Sequence, residues 1–147
     1  MGQLCLVQII SKSGCAFYCA IGFYSKQIKN LNRNNFNASV AAINGFSIFA
    51  NKISYLLNQN DQIDYELLEN FLKINHNQKF IIFGFTSNVY LQLIKKLDPS
   101  KINRSSFLKA TLIHGGGWKK IESQKLNRKK FNFLIRQKLG IYTIKNY

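Results

Sequence analysis

The chain has 147 residues, 46% of them apolar, with one proline and 14% aromatics. That is enough for one domain with a packed core, and it excludes a disordered polymer. The 21 basic and 6 acidic side chains leave a net charge of +15, while no apolar run approaches the roughly 20 residues of a membrane span.

The charge is uneven. Residues 1–60 carry five basic and no acidic side chains, residues 61–100 four and five, and residues 101–147 twelve and one. A basic final third suits a polyanion, whether nucleic acid, an acidic lipid surface or a phosphorylated ligand. Seventeen of the cations are Lys and only four Arg. Lys enrichment of this kind accompanies a solvated surface, whereas Arg would be the stronger sign of phosphate or base readout. Cys5, Cys15 and Cys19 are odd in number and suit a reducing compartment. His76 and His114 do not join them at a zinc-like spacing, so no metal site is expected. The start lacks the basic leader of a signal peptide, and Leu6 stands where a myristoylation signal needs Ser or Thr. The expected location is cytoplasmic.

In chain order, Leu4 to Ile10 reads as either a strand or the start of a helix. Ser11 to Gly14 reads as a turn, and Asn30 to Asn35 as a polar loop. Ala38 to Leu57 has mostly helical spacing, interrupted at Asn44-Gly45. Asn58 to Gln62 is a loop. Asp64 is placed to cap a helix from Tyr65 to about Ile74, with Leu67, Leu68, Phe71 and Leu72 on its apolar face. Phe80 to Phe83 is wholly apolar, as in a strand buried on both faces. Gly84-Phe85-Thr86 turns the chain. Thr86 is expected to cap a helix carrying Tyr90, Leu93, Ile94 and Leu97, which Asp98-Pro99 ends. Ala110 to Ile113 is the next buried strand. Ser123 is expected to cap a helix from Gln124 to Leu139 with Phe131, Leu134, Ile135 and Leu139 inward. Gly140 stops it, and Ile141 to Ile144 begins another strand.

From Asp64 onward the order is helix, strand, helix, strand, helix, strand. That predicts an α/β fold with a parallel sheet. Ligands of such sheets bind beyond the carboxyl ends of the strands. Gly84 to Thr86, Gly115 to Gly117 and Asn146-Tyr147 would all emerge at that edge. Three consecutive glycines permit a sharp turn and present bare backbone N–H groups. The same turn also serves plain close packing of a strand on a helix.

Phe83-Gly-Phe-Thr86, then Leu112-Ile-His-Gly-Gly-Gly-Trp-Lys-Lys120, then Gly140-Ile141 and Lys145-Asn-Tyr147 resemble the acyl-protein synthetases. These are the fatty-acid-activating component of the bioluminescence fatty-acid reductase complex, within the adenylate-forming superfamily. Ala38 to Ala50 is similar to a further family segment. The resemblance covers residues 37–147 and leaves 1–36 as an unassigned, divergent segment. It implies a βα-repeat piece of an adenylate-forming enzyme's large N-terminal domain. It implies ATP and Mg²⁺ in the intact enzyme, a fatty acyl substrate, and an acyl-CoA or acyl-protein reductase as partner. The acid would be activated as acyl-adenylate and passed to a protein thiol. Gly115, Gly116 and Gly117 match the superfamily's glycine turn, and Asn146 and Tyr147 the start of its Asn-x-Tyr-Gly-x-x-Glu segment. By resemblance these five are nucleotide-binding. Phe85 and Thr86 match the acyl-pocket side. His114, Trp118 and Lys119 match the family block without an assigned role, and Trp118 reads as packing.

The sequence departs from the family pattern at both ends. No Ser/Thr/Gly-rich phosphate loop precedes the matched region, and it ends before the family's Gly-x-x-Glu. The expectation is a partial enzyme that does not adenylate by itself. Two alternatives stand beside it. His114-Gly-Gly-Gly-Trp118 is similar to the oxyanion-hole block of lipase-like α/β-hydrolases, although no G-x-S-x-G elbow is present. Residues 101–147 could instead form a basic nucleic-acid-binding module, but no recognised motif supports it and no nucleic-acid partner is expected.

Overall fold

The computed structural model describes residues 4–9, 19–22, 50–58, 60–118 and 121–147, with side-chain surroundings described from Ser54 onward. Among the described residues, six strands form one sheet in the order β1-β3-β2-β4-β5-β6. They are β1 (Leu4–Ile9), β2 (Cys19–Gly22), β3 (Ala50–Tyr55), β4 (Phe80–Phe85), β5 (Ala110–Gly115) and β6 (Thr143–Asn146). β4 pairs in parallel with β5, and β5 with β6. β2 runs parallel to both β3 and β4, and β1 is antiparallel to its neighbours. The chain is therefore α/β, as its alternation of periods predicts.

α1 (Tyr65–Ile74) starts where expected. Asp64 caps it by accepting the Leu67 N–H at 3.0 Å, and Leu68, Phe71 and Leu72 are buried. β4 is buried on both faces through Ile81, Ile82 and Phe83. Phe80 meets Phe71 edge-on at 5.4 Å and Phe107 at 6.1 Å, which ties α1 and the segment before β5 to the sheet. After β4 the short α2 (Thr86–Asn88) runs straight into a π-helical segment, Val89–Lys96, that buries Val89, Tyr90, Gln92 and Leu93. The Leu97 N–H bonds back to the Gln92 carbonyl, an i→i−5 closure. Asp98 then caps the turn Pro99–Lys101. α3 (Arg128–Leu139) buries Phe131, Ile135 and Leu139, and Gly140 ends it at φ +73°.

Five expectations change. Gly84 and Phe85 do not turn the chain but end β4, paired with His114 and Gly115 of β5. Ala50–Tyr55 is a strand, although its spacing within Ala38 to Leu57 reads as helical. Lys52-Ile53-Ser54-Tyr55 alternates polar and apolar residues, a period of two that sheet neighbours on either side recruit. The rest of that stretch, with Asn44-Gly45, lies outside the described residues, as do the turn at Ser11 to Gly14 and the loop at Asn30 to Asn35. Thr86 is not the cap of the helix after β4. Phe85 holds that position without a side-chain bond, and the Thr86 hydroxyl is used elsewhere. Asn127, not Ser123, caps α3 by accepting the Lys130 N–H at 2.9 Å. Ser123 sits in a separate 3₁₀ turn, Glu122–Gln124. β6 begins at Thr143, because Ile141 is taken into the core.

Candidate functional site at the carboxyl edge of the sheet

The parallel register brings the three sequence-distant segments to one edge. Gly84 lies beside His114, Phe85 beside Gly115, and His114 beside Asn146. Parallel strands carry their carboxyl ends in one direction, so the loops following β4 and β5 and the residue after β6 leave the sheet together.

At the centre is a hydrogen-bonded pair. Thr86 and His114 are each only 4% exposed. Thr86 Oγ1 lies 2.9 Å from His114 Nδ1, 3.0 Å from the Gly115 carbonyl and 3.3 Å from the Gly116 carbonyl. Carbonyls only accept, so the single hydroxyl proton goes to them. The hydroxyl oxygen is then the acceptor for His114, which places that ring's proton on Nδ1. His114 is neutral, its pKa lowered to about 4 by burial and, secondarily, by the charge of Arg128. Its ring lies 4.7 Å from Phe131 of α3.

This arrangement orients the glycine turn. Every described peptide is trans, so each N–H points opposite to the carbonyl of the same peptide plane. The Gly115 and Gly116 carbonyls turn inward to Thr86. The N–H groups of Gly116 and Gly117 therefore point to the other side of the turn. Gly116 adopts φ +71°, a conformation that costs little only for glycine. Both Gly116 and Gly117 are exposed, whereas Gly115 is buried.

Aromatic rings close in on the same backbone. Tyr147 stacks on Phe83 at 5.4 Å and 26°, and its N–H bonds to the His114 carbonyl at 3.1 Å. A Cβ built on Gly115 would stand 2.4 Å from the Tyr147 ring, and one on Gly116 would stand 2.7 Å from the Phe85 ring. The glycines are thus needed for close ring approach as well as for the turn. Burial pushes the Tyr147 phenol above its ordinary pKa, so its hydroxyl stays protonated at neutral pH. Trp118 packs edge-on to Tyr90 at 5.2 Å and to Phe131 at 6.0 Å. It is a strut between the π-helical segment and α3. Asn146 is exposed at the end of β6. Lys119 lies outside the described residues.

A groove of about 530 Å³ runs along α1, lined by residues that include Asp64, Glu66, Asn70 and Gln78. It shares no residue with the carboxyl edge. Asp64, one of its two carboxylates, is already committed to the α1 cap, and the carboxyl edge, where three segments converge, is the better candidate site.

Residues 10–147 match the family of acyl-protein synthetases described as Acyl-protein synthetase, LuxE. The chain belongs to this family. The match begins ahead of residue 37, where the motif resemblance starts. No curated protein and no solved structure matches the chain. Membership in the LuxE family makes ligase chemistry of the acyl-protein synthetase kind the frame for the carboxyl edge. The sequence reading of this LuxE-family chain missed the Thr86–His114 bond. Its only signal was the register itself. Setting Phe83-Gly84 beside Ile113-His114 places Thr86 one position beyond the pair Phe85–Gly115, within reach of the glycine turn.

Proposed function

We propose that the carboxyl edge of the sheet serves ATP-dependent activation of a fatty acid to its acyl-adenylate, for transfer to a protein thiol. The observation that carries this reading is the glycine turn. Its carbonyls are drawn inward by Thr86, and two successive N–H groups are left facing away, at the carboxyl ends of parallel strands. Such an amide edge suits the polar rim of a nucleotide, and flat rings beside bare glycine backbone suit a base. Gly115, Gly116, Gly117, Asn146 and Tyr147 are the nucleotide side in this proposal. Phe85, lying on Gly116, is the wall toward the acyl chain, and Thr86 steadies that wall from beneath.

In the reaction a carboxylate oxygen attacks the α-phosphorus in line and pyrophosphate leaves. The protein's share is position and charge balance. The neutral His114 holds Thr86 without adding charge beneath the turn. Among the described residues no group of His, Cys, Asp or Glu gathers that would hold a metal. Mg²⁺ is proposed to accompany the phosphates of ATP, and no step is assigned to it. The acyl acceptor is proposed to be a protein thiol, and a fatty-acyl reductase is the proposed class of partner. The cytoplasm is the proposed setting. No described helix is long and apolar enough to cross a membrane. This chain is proposed to supply the nucleotide and acyl walls.

Isothermal titration with a fatty-acyl sulfamoyl adenosine, a stable mimic of the acyl-adenylate, is the direct test. Saturable binding that ATP competes away, lost in a Gly115→Val variant that still melts cooperatively, is the expected result. Absence of binding to the folded chain, or labelling of a serine by a fluorophosphonate ester, would reverse the reading.

A further inference from the structure

We infer that the outer face of α3 docks on an anionic lipid surface. α3 carries five cations, Arg128, Lys129, Lys130, Arg136 and Lys138, and no acidic residue. Its inward stripe is Phe131, Ile135 and Leu139. At about 100° per residue, position 133 falls opposite that stripe. Phe133 is 54% exposed. Lys129, Lys130, Arg136 and Gln137 surround it on the same face, and all four are exposed. Among the described residues none of these cations is paired with a carboxylate, the ion pairs being Lys73–Glu69 and Lys125–Glu122.

An apolar ring flanked by three exposed cations has a specific physical complement. Lipid phosphates satisfy the cations, while the ring enters the boundary between headgroups and acyl chains. The face has one aromatic rather than the several stacking platforms of a single-strand binder. This docking is independent of adenylation, since the carboxyl-edge residues and the outer face of α3 share no residue.

The test is flotation of the full chain with vesicles of phosphatidylglycerol and phosphatidylcholine, against vesicles of phosphatidylcholine alone. Retention is expected on the anionic vesicles only. Lys129→Glu with Lys130→Glu is expected to weaken it at least ~100-fold, and Phe133→Ser about 10-fold. Lys79→Glu with Lys109→Glu changes net charge equally at the opposite edge of the sheet and is expected to leave most of the binding. Thermal melts confirm that each variant folds, and Lys130→Gln with Arg136→Gln replaces the double reversal should it not. Three outcomes overturn the inference. They are equal loss in both double reversals, no effect of Phe133→Ser, and stronger retention of a single-stranded oligonucleotide or of polyglutamate by the same face. Nucleotide-mimic binding by a chain that ignores vesicles would remove this inference and leave the proposed function standing.

Discussion

A single methyl group separates the two glycines at the end of β5. At Gly115 it meets the outer ring atoms of Tyr147, a half-exposed side chain at the sheet edge that can swing aside. Gly115→Ala is expected to lose under about 1 kcal/mol, but to move Tyr147 off Phe83 and weaken binding of the acyl-adenylate mimic. At Gly116 the methyl meets Phe85 and the backbone sits at φ +71°. Gly116→Ala is expected to cost about 1–2 kcal/mol more than its neighbour. Urea unfolding of the two variants checks the order, and equal losses would contradict it. His114 supplies a pH signature. Its pKa of about 4 in the folded chain lies below the ordinary 6.5. Between those values the unfolded state binds more protons, so stability falls as pH drops from about 6.5 to 4 and is fully present above. The ceiling is on the order of 3 kcal/mol. In His114→Gln the urea midpoint is expected to vary less across that window than in the parent. Two parallel profiles would assign the slope to other groups. The glycines were legible in the sequence as a turn. The reason for three of them was not, because Tyr147 and Phe85 reach that backbone only through strand register.

α3 shows what a cap does at the scale of an element. Asn127 accepts the Lys130 N–H, in a first turn whose three cations oppose the helix dipole. Asn127→Ala is expected to cost about 1 kcal/mol or more, and Ser123→Ala less than about 0.5 kcal/mol. Thermal denaturation of both separates them, and a larger loss from Ser123→Ala would place the helix start wrongly. The sequence pointed to Ser123 because Ser, Asn and Asp all serve as caps. What chooses among them is where Leu126 and Phe131 dock, and that is a tertiary matter. Elements with a long unambiguous period, such as α1, β4 and the buried stripe of α3, were readable from residue order alone. Ala50–Tyr55 was not, since six residues fit two periods and the neighbouring strands decide between them.

Across the whole molecule, charge repulsion is the main force opposing compactness beyond chain entropy. A net +15 with two exposed ion pairs among the described residues leaves self-repulsion only partly offset. Raising salt shortens the range of that repulsion from about 30 Å at 0.01 M to about 10 Å at 0.1 M. The melting temperature is therefore expected to rise with sodium chloride from about 0.01 to about 0.3 M, as read by circular dichroism. A flat or falling profile would mean that the surface cations are balanced within the fold.

Residue order is enough to read the fold class, the buried strands and the convergence of three segments on one edge of the sheet. Those follow from periodicity and from the rule that parallel strands share a carboxyl end. Tertiary structure alone decided which polar groups meet there. Thr86 and His114 are 28 residues apart, and no local spacing encodes their bond. It exists because β4 and β5 pair in one register, and in that register burial makes the hydroxyl, the imidazole and the glycine carbonyls satisfy one another.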